Sequence, residues 1–87
     1  MRVSVWDTYV KRDDGRIMHF DILVPSEVTD EVTVFNFGNE YLKRKSINNK
    51  VLSAKECRLC HMEQATQEIE QDILNNGYFI IEMEHCD

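Results

Sequence analysis

Apolar and polar positions follow one period near the start of the chain and another further on. RVSVWDTYV (2–10) and RIMHFDILV (16–24) are rich in β-branched and aromatic residues and read as two strands. Asp13-Asp14-Gly15 between them supplies turn chemistry, with Gly15 free to take positive φ, so the strands form a hairpin. Two registers are open. A two-residue Asp14-Gly15 loop sets Tyr9 opposite Phe20 and puts Val3, Val5, Asp7, Tyr9, Phe20, Ile22 and Val24 on one face. A three-residue loop with a glycine bulge sets Asp7 opposite Asp21 and Tyr9 opposite His19.

Beyond Pro25 the period lengthens. Thr29 or Asp30 caps a helix with Glu31 in its first turn, and the helix runs to about Lys45. Val34, Phe37, Gly38 and Tyr41 form its apolar stripe, broadened by Phe35 and Leu42, and residues 46–50 read as a polar loop. The stretch 52–76 sends two signals. Ser53-Ala54-Lys55-Glu56 matches a capping box, whereas Thr66 with Glu68 and Glu70 is an equally good helix start. Residues 56–64 are therefore either a strand before the second helix or an earlier turn of one long helix. Ile69, Ile73 and Leu74 stripe the second helix and Gly77 ends it. YFIIEME (78–84) is a last strand, apolar on both faces in its front half, which predicts a central place in the sheet. The expected fold is α+β: one domain over 1–87, ββαβαβ, with a mainly antiparallel four-stranded sheet and two helices packed on one face.

Charge narrows the partners. The chain has 87 residues and a formal net charge of -6, a balance that repels phosphate backbones and anionic lipid surfaces. Nucleic acid and membrane are thus poor partners. The opening MRVSVWDTYVKRDDG lacks the apolar segment of an export signal, and no run is long enough for a membrane span. A cytoplasmic location is expected, with the three cysteines as free thiols.

Candidate chemistry centres on Glu56-Cys57-Arg58-Leu59-Cys60-His61, whose C-x-x-C-H pattern admits four readings. Covalent haem needs export and a helical pocket, and neither is indicated. A redox dithiol needs its first cysteine at a helix N-terminus, where the dipole lowers the thiol pKa. Zinc takes four ligands in a tetrahedron. On a helix or turn, Cys57, Cys60 and His61 share a face, with Cys86, His85 or His19 as the fourth ligand; on an extended strand they cannot converge. The fourth reading is plain packing of buried cysteines. A second constellation, Asp7, His19 and Asp21 on the hairpin with Glu63, makes an acidic pocket for a cation or amine ligand, or else holds a buried aspartate that accepts backbone hydrogen bonds. Trp6 marks an interface if no helix covers it. The chain holds no phosphate-binding glycine loop, G-x-S-x-G elbow or H-E-x-x-H pattern.

VWDTYV (5–10), IMHFDILVP (17–25), FGNEYL (37–42), AKECRLCHMEQA (54–65) and GYFIIEMEHC (77–86) resemble, in order and spacing, a family of small bacterial proteins called DUF2024. The resemblance implies a compact α/β domain without an attached cofactor and favours a strand over 56–64. It also implies that Asp7, His19, Asp21, Cys57, Cys60, His61 and Glu63 belong together, and it supplies no mechanism. The expected function is a small cytoplasmic binding or interaction module without evident catalysis. Its partner would be an unknown protein or small ligand, with homodimerisation through a sheet edge or the Trp6 face. The alternatives are a zinc-binding domain using Cys57, Cys60, His61 and Cys86, and a thiol redox protein or enzyme using the acidic hairpin face.

Overall fold

Gly15 decides how the first two strands meet. At φ 90° it closes the loop Asp13-Asp14-Gly15, its N–H donating to Arg12 O at 2.9 Å while Arg12 N–H donates to Arg16 O at 2.8 Å. Asp14 braces the turn by accepting from the Arg16 backbone N–H at 3.0 Å and from its Nε at 2.8 Å. The computed structural model describes residues 1–48 and 50–87, so within the expected 46–50 loop Asn49 lies outside the described residues. In it the hairpin adopts the bulged register. β1 (Arg2–Lys11) pairs antiparallel with β2 (Ile17–Pro25), with Asp7 opposite Asp21 and Tyr9 opposite His19.

Local signals set both helices. In α1 (Glu31–Arg44), the Asp30 carboxylate accepts from Val32 N–H at 3.2 Å, and Lys43 and Arg44 sit in the last turn. In α2 (Gln67–Asn76), Thr66 Oγ1 accepts from Ile69 N–H at 3.2 Å, and Gly77 closes the helix at φ 91°. The Ser53–Glu56 capping box also forms, but as a single turn: Glu56 Oε1 accepts from Ser53 N–H and Oγ, both at 2.8 Å. The chain then extends into β3 (Cys57–Gln64), and β4 (Phe79–Glu84) follows α2. The four strands are all antiparallel, in the order β3-β1-β2-β4.

Two expectations are corrected. The helices lie on opposite faces of the sheet. Val34, Tyr41 and Leu42 of α1 bury Trp6, Val10, Met18, Phe20, Ile22 and Val24, the even-numbered face of the hairpin. Ile73 of α2, with Ile69 beside it, buries Val3, Val5 and Leu23, the odd-numbered face. The central strands carry apolar residues on both sides, so each side needs its own cover. β4 is an edge strand, not a central one. It is apolar on both faces because Ile80 joins the α1 layer while Phe79 and Ile81 join the α2 layer. Trp6 is buried, its Nε1 donating to Ser4 Oγ at 3.1 Å. Among the described residues, no helix is long and apolar enough to cross a membrane.

Gly38 marks the closest approach of α1 to the sheet. A Cβ there would overlap Leu52 Cδ1 and stand 2.8 Å from Ile22 Cδ1, and both side chains are buried. Gly38→Ala is therefore expected to destabilise the fold by about 1–3 kcal/mol through overpacking, despite alanine's better helix propensity. Urea unfolding checks this, and an unchanged or raised midpoint would show that α1 can move outward freely.

Candidate functional site

The second helix is too short to cover its face. Ten residues of helix span about 15 Å, whereas ten residues of strand extend about 33 Å. α2 closes over the Val3, Val5 and Leu23 end of the sheet. Asp7, Tyr9, His19 and Asp21 lie on the same odd-numbered face towards the hairpin loop, beyond that cover.

The first three of the predicted ligand residues converge there. His19 Nε2 lies 3.7 Å from Asp7 Oδ1 and 3.6 Å from Asp21 Oδ1, too long for a hydrogen bond. One ligand atom from each residue falls within 4.8 Å of the other two, and this is the one such group of three or more among the described residues. His19 Nε2 and Asp21 Oδ1 are completely buried and have no hydrogen-bond partner. An enclosed polar atom left unbonded costs about 1–3 kcal/mol, so the cluster is a local loss that the rest of the fold sustains. Tyr9 stacks on the His19 ring, centroids 4.2 Å apart and planes 11° from parallel, which limits rotation of the imidazole.

The two carboxyls are driven apart in acidity. Burial, then the neighbouring Asp7 carboxylate, pushes Asp21 up to about 6. Partial burial also acts to raise Asp7. Interactions with Asp21, the Cys60 thiol and His19 outweigh it and hold Asp7 below its ordinary value. The pair therefore resists carrying two charges unless a cation joins it.

β3 brings a fourth group to this face through a bulge. Trp6 pairs with Leu59 and Val5 with His61, which leaves Cys60 as the extra residue. A bulge re-aims the side chains around it, and here Cys60 comes beside Asp7, whose carboxylate raises the thiol above its usual pKa. His61 follows opposite Val5, with its Nε2 3.6 Å from Glu63 Oε2. Glu63 itself stands opposite Val3, further along the strand, and is not part of the Asp7, His19 and Asp21 group.

The C-x-x-C-H residues are not brought together. Cys57 pairs with Thr8 and is buried in the α1 layer, where burial raises its thiol pKa. Cys86 is buried in the same layer, its Sγ donating to His19 O at 3.3 Å. Cys60 and His61 belong to the opposite face, so Cys57, Cys60, His61 and Cys86 do not converge on one ion. All three cysteines are free thiols. Neither Cys57 nor Cys60 sits at a helix N-terminus, where a dipole would lower its pKa. Two features escaped the sequence reading: Tyr9 as the support of His19, and Cys60 as a neighbour of Asp7 instead of Cys57. The first was legible as a cross-strand pair once the register was chosen. The second was legible in part, because residues three apart on a strand face opposite sides, so Cys57 and Cys60 could not share a face once 56–64 was a strand.

Fold and site together define a class: a small α+β domain with a helix on each face of a four-stranded antiparallel sheet, and an Asp-His-Asp cluster on the half-covered face. The sequence profile of the family described as a domain of unknown function, DUF2024, matches residues 1–83, and the chain belongs to that family. The chain is similar to protein NE1680 from Nitrosomonas europaea, known from an NMR structure, at 39% identity over 100% of both chains and with a TM-score of 0.87. No curated protein matches the chain.

The raised Asp21 pKa has a signed consequence. The folded state holds this proton more tightly than the unfolded chain, whose value is near 3.8, so stability falls as pH climbs from about 4 to about 6 and stays low above that. Asp21→Asn carries no charge at any pH. With chelator present it is expected to stabilise the protein at pH 7 by roughly 1–2 kcal/mol and to flatten the decline between pH 4 and 6. Thermal melts across that range check it, and a variant less stable than wild type at pH 7 would refute it.

Proposed function

We propose that the domain is a binding module for a divalent cation, held by Asp7, His19 and Asp21 on the open half of the α2 face. The observation that carries this reading is the pair of enclosed, unbonded atoms, His19 Nε2 and Asp21 Oδ1, facing each other at 3.6 Å. A cation between them would satisfy both and offset the repulsion between the two carboxylates. An amine ligand fits less well, because acceptors around an ammonium at hydrogen-bond distance stand about 4.6 Å apart. The reading assigns the domain no catalytic step.

Calorimetric titration of the chelator-treated chain with Zn(II) tests it. One ion per chain is expected, with a stabilisation of about 2.7 kcal/mol at a hundredfold excess over the dissociation constant. His19→Ala should abolish both the heat and the stabilisation. A wild-type melt unmoved by Zn(II), Mn(II) or Ca(II) would overturn the reading.

A second reading is favoured by a cavity of about 580 Å³ on the α1 side, where Trp6, Val28, Cys57, Leu59 and Met62 form an apolar lining. Its size and lining suit a small apolar ligand. Trp6 is the sole tryptophan, so an occupant would shift the protein's tryptophan emission, whereas an ion on the opposite face would leave it nearly unchanged.

A further inference from the structure

We propose that the cavity on the α1 side takes a small uncharged molecule with an apolar body and one accepting oxygen, of the ketone or ester class, and that this oxygen accepts from the Ser4 hydroxyl. The inference rests on the second reading, that the cavity holds a small apolar ligand, and goes beyond it by naming the ligand's chemistry.

Three observations carry it. The first is incomplete cover. α1 packs on β1, β2 and Ile80 of β4, whereas β3 lies at the far edge of the sheet. A helix is about 10–12 Å across and four strands span about 19 Å, so most of the β3 side of this face goes without a helix. There Leu59 and Met62, opposite Trp6 and Ser4, remain 51% and 42% exposed and line the cavity. The second is Ser4. It lines the cavity at 2% exposure, and its Oγ accepts from Trp6 Nε1 at 3.1 Å. A hydroxyl also has a hydrogen to give, and among the described residues Ser4 Oγ gives it to none. Enclosed donors in a fold are nearly always bonded, so a donor left over at a cavity wall selects an occupant that brings an acceptor. The third is charge. Glu31 and Arg58, of opposite sign, both stand exposed among the lining residues. The cavity therefore favours neither sign, and the chain's net charge of -6 repels anions. A carbonyl oxygen accepts without donating, so such a ligand adds no unpaired donor to an apolar wall.

Proton–nitrogen NMR titration tests the ligand class. Trp6 is the sole tryptophan, so its indole N–H gives one peak, and that N–H donates to Ser4 Oγ. The probes are acetophenone and ethylbenzene, alike in size, of which acetophenone alone carries an acceptor. Both are expected to move the indole peak while leaving the Asp7 and His19 peaks in place, with acetophenone binding about three- to tenfold more tightly. Ser4→Ala, folded by circular dichroism, should bring that ratio to near one and leave ethylbenzene affinity unchanged. Phenylacetate and phenethylamine should bind more weakly than acetophenone. Equal affinities for acetophenone and ethylbenzene in wild type would overturn the acceptor class while leaving the cavity reading standing, and that comparison needs no variant. Tighter binding of either charged probe would overturn the uncharged class in the same way. An indole peak that moves with protein concentration alone, together with a doubled mass in sedimentation, would assign the groove to a second copy of the chain and overturn the proposal. An indole peak unmoved by any probe would overturn both the proposal and the cavity reading.

Discussion

Everything on the open face depends on the register of one hairpin. Strand side chains alternate with period two, so a slip of a single residue would turn each one to the other side of the sheet. The three-residue loop ending in Gly15 sets the pairing of Asp7 with Asp21 and of Tyr9 with His19. Those two pairs put two carboxylates and a stacked imidazole together. The same register aligns Trp6 with Ile22 and Thr8 with Phe20 under α1. Apolar burial on the even face and polar convergence on the odd face are thus one geometric decision. Burying side chains such as Phe20 and Ile22 contributes about 1.5–3 kcal/mol each, enough for the hydrophobic face to hold the polar face in an arrangement it would not adopt alone.

The length of α2 then decides how much of the odd face meets solvent. Thr66 and Gly77 limit it to ten residues, and its apolar stripe covers only the Val3, Val5 and Leu23 end. The chain uses both faces of its sheet, yet leaves one of them open at the hairpin end. The buried atoms that lack partners lie at that opening, and unsatisfied groups in a well-packed fold concentrate where a ligand is handled.

Bulges shape both sheet edges. The β3 bulge brings Cys60 and His61 towards the cluster, and a second irregularity sits where β2 meets β4, between His19 and Phe20. A twisted, interrupted edge is a poor template for strand pairing with another chain. The two bulges therefore act against edge-to-edge association, while the first also re-aims side chains.

Local chemistry made much of the fold legible. Asp30, Thr66 and Gly77 bound the helices because caps act within a few residues, and Asp13-Asp14-Gly15 announced the hairpin for the same reason. Ser53–Glu56 announced a helix and delivered one turn, because strand pairing of residues 57–64 with β1 outweighed helix propagation. The site was legible as residue types, Asp7, His19 and Asp21 standing out in apolar strands. Their convergence followed only when the register was chosen. The most conspicuous motif, C-x-x-C-H, misled as a unit: its neighbours in sequence lie on opposite faces of a strand. By itself the sequence determined the hairpin strands, both helices with their caps and the last strand, since these follow from propensity, capping and period, while it left residues 56–64 and the hairpin register open. The tertiary structure alone decided which face each helix covers, that β4 lies at an edge, and that Cys60 and not Cys57 stands beside Asp7, because these depend on which surfaces remain to be buried once the elements meet.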